Sequence, residues 1–335
     1  MSSEKNKESG VGLTSTEISN IWATYMKSSM ELRFFEYFIE TIENGEIRKV
    51  LERMLNQSRK SIEDIKDIFI NENLAIPLGF TDEDVRVNAL KMFSDTFILF
   101  FCYDIILLSI TTFSSALSDC TRKDVRNYFQ MSLEFTLSMQ NEMIDLMLSK
   151  GVYLRPPQVA IDNVVDFVDE MKYFSGFLGG SRPVNVAEIA NLSRIIHRAQ
   201  FSKMIFVAFS KAATSRELGL HFSKGRDEIQ KVLDSLQEVL EKENIPISAS
   251  GDYKIFDIEV PPFSDKLMLF FVNICLGMFC FTLISQAMTS SFRLDIVSKF
   301  TKIMNDMKHY YGEGLKLTIK EGWLERPPQS INRKI

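Results

Sequence analysis

The 335 residues contain three histidines, and all of them fall in the second half: His197, His221 and His309. Asp306 lies three residues before His309, and Glu217 lies four before His221. A pair of hard cations buried between helices is held by bridging carboxylates and imidazoles, with two Glu-x-x-His turns among the donors. Asp306-x-x-His309 comes near that spacing, Glu217-x-x-x-His221 misses it, and the first half has no imidazole to offer. The metal candidates are therefore His197, Glu217, His221, Asp306 and His309, all confined to the second half. Surface or partly buried histidines are the simpler reading, so no cofactor is expected and a carboxylate-bridged metal stands as the alternative.

Other chemistries find less to use. There is no nucleophile elbow and no evident set of Ser, His and Asp, and without strands a hydrolase has no scaffold here. Gly176-x-x-Gly179-Gly180 follows no strand and fits no phosphate-binding loop. Cys102, Cys120, Cys275 and Cys280 lack Cys-x-x-Cys spacing and read as reduced core residues. No catalytic residue is assigned. The 27 phenylalanines and 16 methionines recur at helical spacing; they could line a pocket for a small apolar ligand, although ordinary core explains them more simply. Arg155-Pro156-Pro157 and Arg326-Pro327-Pro328 follow helix ends, where proline enforces a stop. Each arginine is expected to lock its bundle through a carboxylate such as Asp95 or Asp265.

The elements that must carry these residues are used twice. Glu17 matches Glu188 (188 − 17 = 171), Glu72-Asn73 matches Glu243-Asn244, and Arg122-x-Asp124 matches Arg293-x-Asp295, all at one offset. Arg155-Pro-Pro-Gln158 and Arg326-Pro-Pro-Gln329 repeat it (326 − 155 = 171). Phe93-Ser-Asp95 and Phe263-Ser-Asp265 are offset by 170, which places a length change in the loop before them. A shared offset across so many residues is the mark of internal duplication.

In the first copy, Thr14 with Glu17 forms a capping box that opens an amphipathic helix. Gly45 separates it from a second, which ends before Pro77. A long connection leads to an apolar third helix, and a fourth runs from near Thr121 to Lys150-Gly151. The second copy repeats this order, beginning at Asn185 with Glu188. Four helices with one long crossover predict a four-helix bundle. The expected layout is a tail over 1–12, bundles over 13–158 and 185–329, a linker over 159–184 packed along them as a strap, and a tail over 330–335.

Both third helices, Phe93 to Leu117 and Phe263 to Thr289, are long and apolar enough to span a membrane. Asp104, Asn273 and Gln286 interrupt them, and basic residues flank the first on both sides, which gives no positive-inside bias. Burial on every side is favoured instead. The two bundles are therefore expected to pack together through these helices, with membrane association as an alternative.

A net charge of −5 and a pI near 5.5 give no electrostatic case for nucleic acid. The polar opening MSSEKNKESG has no apolar core, so no secretory signal is expected and the cytoplasm is the expected location. Partners are read as an unknown protein or a small apolar ligand, with a homodimer as one form.

Several motifs together resemble one family. They are Phe-Ser-Asp before each apolar helix, Glu-Asn closely followed by Ile-Pro in both copies, the run Gly79 to Val85, Phe177-Leu-Gly-Gly-x-Arg-Pro183, and the Arg-Pro-Pro-Gln ends. From Leu13 to Gln329 the chain resembles the tandem form of domain of unknown function 3231. The resemblance implies ferritin-like four-helix bundles and a sporulation setting in endospore-forming bacteria. It brings no established activity and no site residues. The expectation is an all-α pair of ferritin-like bundles that binds or packs and does not catalyse.

Overall fold

The computed structural model describes residues 11–161, 163–176, 182–248 and 253–330, and within them the chain is all-α. Eight long helices fall into two sets of four. The first set is α1 (Ser15–Thr41), α2 (Gly45–Asn71), α3 (Asp95–Asp119) and α4 (Lys123–Ser149). The second is α5 (Val186–Ala212), α6 (Arg216–Lys242), α7 (Asp265–Ser290) and α8 (Leu294–Lys320). In each set neighbours in sequence pair as hairpins, first with second and third with fourth. The long crossover between the pairs is that of a four-helix bundle.

The ends of these helices follow from local chemistry. Thr14 Oγ1 accepts the Glu17 N–H at 3.2 Å, while Glu17 Oε2 accepts the Thr14 N–H at 2.8 Å, which completes the capping box. Asn185 and Glu188 do the same for α5. Asn73 and Asn244 stop α2 and α6 by turning left-handed, with φ of 53° and 55°. In both places the next N–H reaches back to the helix, Leu74 to Phe69 O and Ile245 to Leu240 O, each at 2.9 Å.

Apolar side chains fill both interiors. Phe34, Phe38, Phe97, Phe101 and Phe129 are fully buried in the first set, as are Phe206, Phe209, Phe222 and Phe300 in the second. Of the most apolar stretch of α3, 67% is buried, and of α7, 61%.

The chain divides into two compact units whose limits cut across the sequence repeats. One comprises Met1–Gly151, Val260–Leu267 and Trp323–Ile335; the other comprises Val152–Glu259 and Met268–Gly322. The first unit thus includes a short piece from the second repeat, and Phe263 shows why. Its ring lies 4.5 Å from Phe34 and 5.0 Å from Tyr37 between ring centres, and it is 3% exposed. The backbone around it bridges Val85 in antiparallel fashion, with Arg86 N–H donating to Pro262 O at 2.7 Å and Ser264 N–H to Asp84 O at 2.9 Å. Glu325 accepts the Leu78 and Gly79 N–H groups at 2.8 and 3.0 Å. Gly79 has φ of 63°, and a Cβ there would press on Ser29, so glycine is required.

Three expectations need correction or completion. The loss of one residue before Phe263 is balanced by a gain after it, since Arg122 follows Phe93 by 29 positions (122 − 93) and Arg293 follows Phe263 by 30 (293 − 263). The extra residue lies inside the helix: α3 has 25 residues and α7 has 26, and α7 winds Phe271–Leu276 as a π-turn. A π-turn absorbs one residue without breaking the rod.

The linker is not packed along its whole length. Val164, Val165, Phe167 and Val168 are 70%, 91%, 86% and 56% exposed, because the described residues before Met171 form no helix that could lay an apolar face against the bundle. Its downstream part does engage: the rings of Tyr173 and Phe174 lie about 6 Å from Phe292, Arg182 pairs with Glu188, and Val184 is buried.

The third concerns residues whose placement is not described. Gly179 and Gly180, part of the Phe177–Pro183 motif, lie outside the described residues, as do all but two residues of the 1–12 tail and all but Ser330 of the last.

Candidate functional site

The charged residues that mark the repeat meet at one end of each bundle. In the first unit Glu17, fully buried, turns Oε2 to its own helix start and Oε1 to the start of α4. That oxygen accepts the N–H groups of Thr121 and Arg122 at 2.9 and 2.8 Å and the Thr121 hydroxyl at 3.2 Å. Burial alone would raise its pKa; the donors from Arg122, Thr14 and Thr121 outweigh burial and hold it down at about 2. Arg122 then forks its guanidinium between Asp124, at 2.7 and 2.8 Å, and Glu72, at 2.6 Å. One arginine therefore ties the start of α4 to the end of α2, and one glutamate ties it to the start of α1.

The second unit builds the same knot with an addition. Glu188 Oε1 accepts the N–H groups of Phe292 and Arg293, both at 2.9 Å. Arg293 forks to Asp295 and to Glu243, each at 2.7 Å. Here Arg182 also grips both oxygens of Glu188, at 2.8 and 2.9 Å, while its guanidinium lies 4.0 Å over the Tyr173 ring. The first repeat has Val11 at the matching position (182 − 171 = 11) and uses the Thr121 hydroxyl instead.

Deeper in each bundle lies a chamber of about 30 Å³, room for one or two waters. In the first unit it is polar. Lys27 and Glu31, 8% and 5% exposed, pair at 2.6 Å, and Lys27 also donates to Ser109 Oγ at 2.6 Å. Ser58 donates to Glu31 at 3.4 Å, and the hydroxyls of Ser28, Ser61 and Tyr128 form a chain with spacings of 2.9 and 2.5 Å. Burial pushes the Tyr128 phenol well above its usual range.

The matching chamber in the second unit keeps the cation and changes the walls. Arg198 stands where Lys27 does (198 − 171 = 27), its guanidinium 3.7 Å over the Phe279 ring. Ser202 replaces Glu31, and Ile229, Val232 and Ile303 replace Ser58, Ser61 and Ser132. Burial pulls Arg198 down to about 9, which leaves it cationic at neutral pH.

The residues singled out from sequence are dispersed. His221 is buried, stacked on Tyr310 at 4.5 Å, and burial lowers it to about 4. His197 is half-buried in α5 and lowered by burial, its ring donating to the Ser248 carbonyl. Glu217 is exposed and paired with Lys320; Asp306 is half-buried and His309 exposed on α8. Among the described residues no three of His, Cys, Asp and Glu gather as a metal would require.

Asp95 accepts the Asn44 N–H at 2.7 Å and pairs with Lys91 at 2.7 Å, so it ties the α1–α2 turn to the start of α3. Asp265 is buried in the first turn of α7. Arg155 and Arg326 are exposed, and the arginines that lock the bundles are Arg122 and Arg293. All four cysteines are free thiols, with Cys102, Cys120 and Cys275 buried. Burial raises Cys102, Cys120 and Cys280, which suppresses thiolate at neutral pH.

Sequence reasoning missed Lys27, Glu31, Arg182 and Arg198. A signal existed: Lys27 and Glu31 are four apart and opposite in charge, inside a stretch of α1 otherwise buried from Thr24 to Phe35.

The family model described as "Protein of unknown function (DUF3231)" matches the chain twice, over residues 3–165 and 173–335. No curated protein matches. A solved structure from Bacillus halodurans, described as a "putative spore coat protein", is similar over 45% of this chain and 98% of its own, at 16% identity and a TM-score of 0.41.

Proposed function

The chain belongs to the family of protein of unknown function DUF3231, and we propose that it is a cytoplasmic packing or binding protein of a spore-forming bacterium that carries out no reaction itself. The sporulation setting comes from the family resemblance. One observation carries the reading: the carboxylates and cations best placed for chemistry are engaged with one another, and the chambers beside them hold about 30 Å³ each. A group already bound to its neighbours serves shape and stability before turnover. Binding surfaces would then lie on the outside of rigid helices.

Metal content tests this directly. Full-length chain purified without chelator should carry no stoichiometric iron, manganese or zinc by elemental analysis and native mass spectrometry. One or more ions per chain would overturn the reading in favour of a ferritin-like metal protein using the second repeat.

Membrane association remains a second reading because α3 and α7 are long and apolar enough to cross a bilayer. With most of each apolar stretch buried, the chain is expected to stay in the aqueous fraction when floated with liposomes. Migration with the vesicles would favour the membrane.

A further inference from the structure

The stretch from Ile161 to Met171 leaves six large apolar side chains in water. Val165 is 91% exposed, Phe167 86%, Met171 83%, Ile161 72%, Val164 70% and Val168 56%. Isolated exposed apolar residues are common, but six within eleven positions are more than scattered exposure accounts for. The described residues of this stretch form no helix or strand before the single turn at Met171–Phe174.

Its sequence is nevertheless written for a helix. At about 100° per residue, the six apolar positions fall within about 160° of arc, and Asp166, Asp169 and Glu170 fall within a separate arc of about 100°. No lysine or arginine lies between Val159 and Met171. Eleven residues are too few to hold a helix alone in water, so the pattern needs a second surface before it can wind. The downstream end is anchored: Arg182 Nε donates to Tyr173 O at 3.0 Å, and Phe174 packs near Phe292.

We propose that Ile161–Met171 is a docking segment for a second protein, one that presents an apolar groove bordered by lysine and arginine side chains. The segment winds into an amphipathic helix in that groove, with Val164, Val165, Val168 and Met171 inward and the carboxylates of Asp166, Asp169 and Glu170 meeting the basic rim. An anionic lipid surface is disfavoured by the same three charges. This goes beyond the packing reading, because it needs nothing from either bundle interior. Stoichiometric metal in the purified chain would sink that reading and leave this one standing.

A photo-crosslinking amino acid placed at Phe167 of the full chain, activated in the cells that make the protein, tests the proposal. Mass spectrometry should find an adduct with a different protein, mapped to an apolar surface flanked by lysine or arginine. The purified partner should bind the full chain at least tenfold more weakly at 500 mM than at 50 mM salt. Val165→Ser with Phe167→Ser should weaken binding at least tenfold again, and Asp166→Asn with Asp169→Asn and Glu170→Gln should weaken it and flatten the salt dependence. Adducts only within the chain, only with a second copy, or only on a surface lacking cations would overturn the proposal, and so would no adduct at all. The Val165→Ser, Phe167→Ser chain should keep its melting temperature; a drop of more than a few degrees would mean that the segment packs on its own body.

Discussion

The buried carboxylate of Glu17 accepts the backbone N–H of Arg122 across 105 positions of sequence, at 2.8 Å. The bond joins the first turn of α1 to the first turn of α4, and Glu188 repeats it with Arg293 at 2.9 Å. Both carboxylates are held below their ordinary range, Glu17 from 4.5 to about 2. A folded-state pKa below the unfolded one contributes stability that is fully present above the unfolded value. That stability should therefore fall as pH drops from about 4.5 towards 2, as urea midpoints would show. Glu17→Gln should start less stable and lose less over the same window; an unchanged acid slope would assign the loss to other groups.

Removing the guanidinium that joins α2 to α4, or its counterpart that joins α6 to α8, should be felt in either unit. Arg122→Ala and Arg293→Ala should each cost about 2 kcal/mol, the scale of hydrogen bonds to charged groups, reduced where Glu72 and Asp124 meet solvent. Arg155→Ala and Arg326→Ala, on exposed residues, should lie within about 0.5 kcal/mol of the parent. Denaturant unfolding of the four variants ranks them, and the reverse order would refute this account of the locks.

The Lys27–Glu31 pair makes a sharper case because both members are buried. Lys27→Met strands a carboxylate in the core and should cost about 3 kcal/mol. Adding Glu31→Gln removes the charge and should recover at least half of the loss. Equal stability of the single and double variants would show that the pair is not coupled.

Gly225 and Tyr310 divide one space between them. A Cβ on Gly225 would meet Phe206 Cε1 at 2.5 Å and the Tyr310 hydroxyl closer still. The first repeat fills the matching positions with Met54 and Met139 (225 − 171 and 310 − 171). Gly225→Ala should cost about 1 to 3 kcal/mol by overpacking, and Tyr310→Met should relieve it in the double variant. Thermal melts of the three proteins would decide.

The duplication was legible because the residues that keep the offset of 171 are the ones the bundle ends depend on: Glu17, Glu72, Arg122, Asp124 and their partners. Their meeting was not legible, since no local pattern says that a helix-starting arginine reaches the end of a helix 50 positions earlier. Arg155 and Arg326 drew attention through the neighbouring prolines, yet a proline-extended chain end carries its arginine into solvent. The π-turn in α7 was hidden for a related reason: an inserted residue leaves apolar periodicity nearly unchanged in a helix greasy on all sides. The Ile161–Met171 segment misled because apolar content was read as burial, and content alone does not supply a surface to bury against.

Phe263 has a consequence for how the protein comes off the ribosome. The first unit has all of its helices once Gly151 has been made, but the aromatic plug that enters between Phe34 and Tyr37 is still more than 100 residues away. At roughly 5 to 20 residues per second, the nascent bundle waits about 5 to 20 s with that gap open. Glu325, which closes over Leu78 and Gly79, is made later still, more than 60 residues after Phe263. The bundle whose helices are synthesised first thus waits on residues from the second repeat to close it.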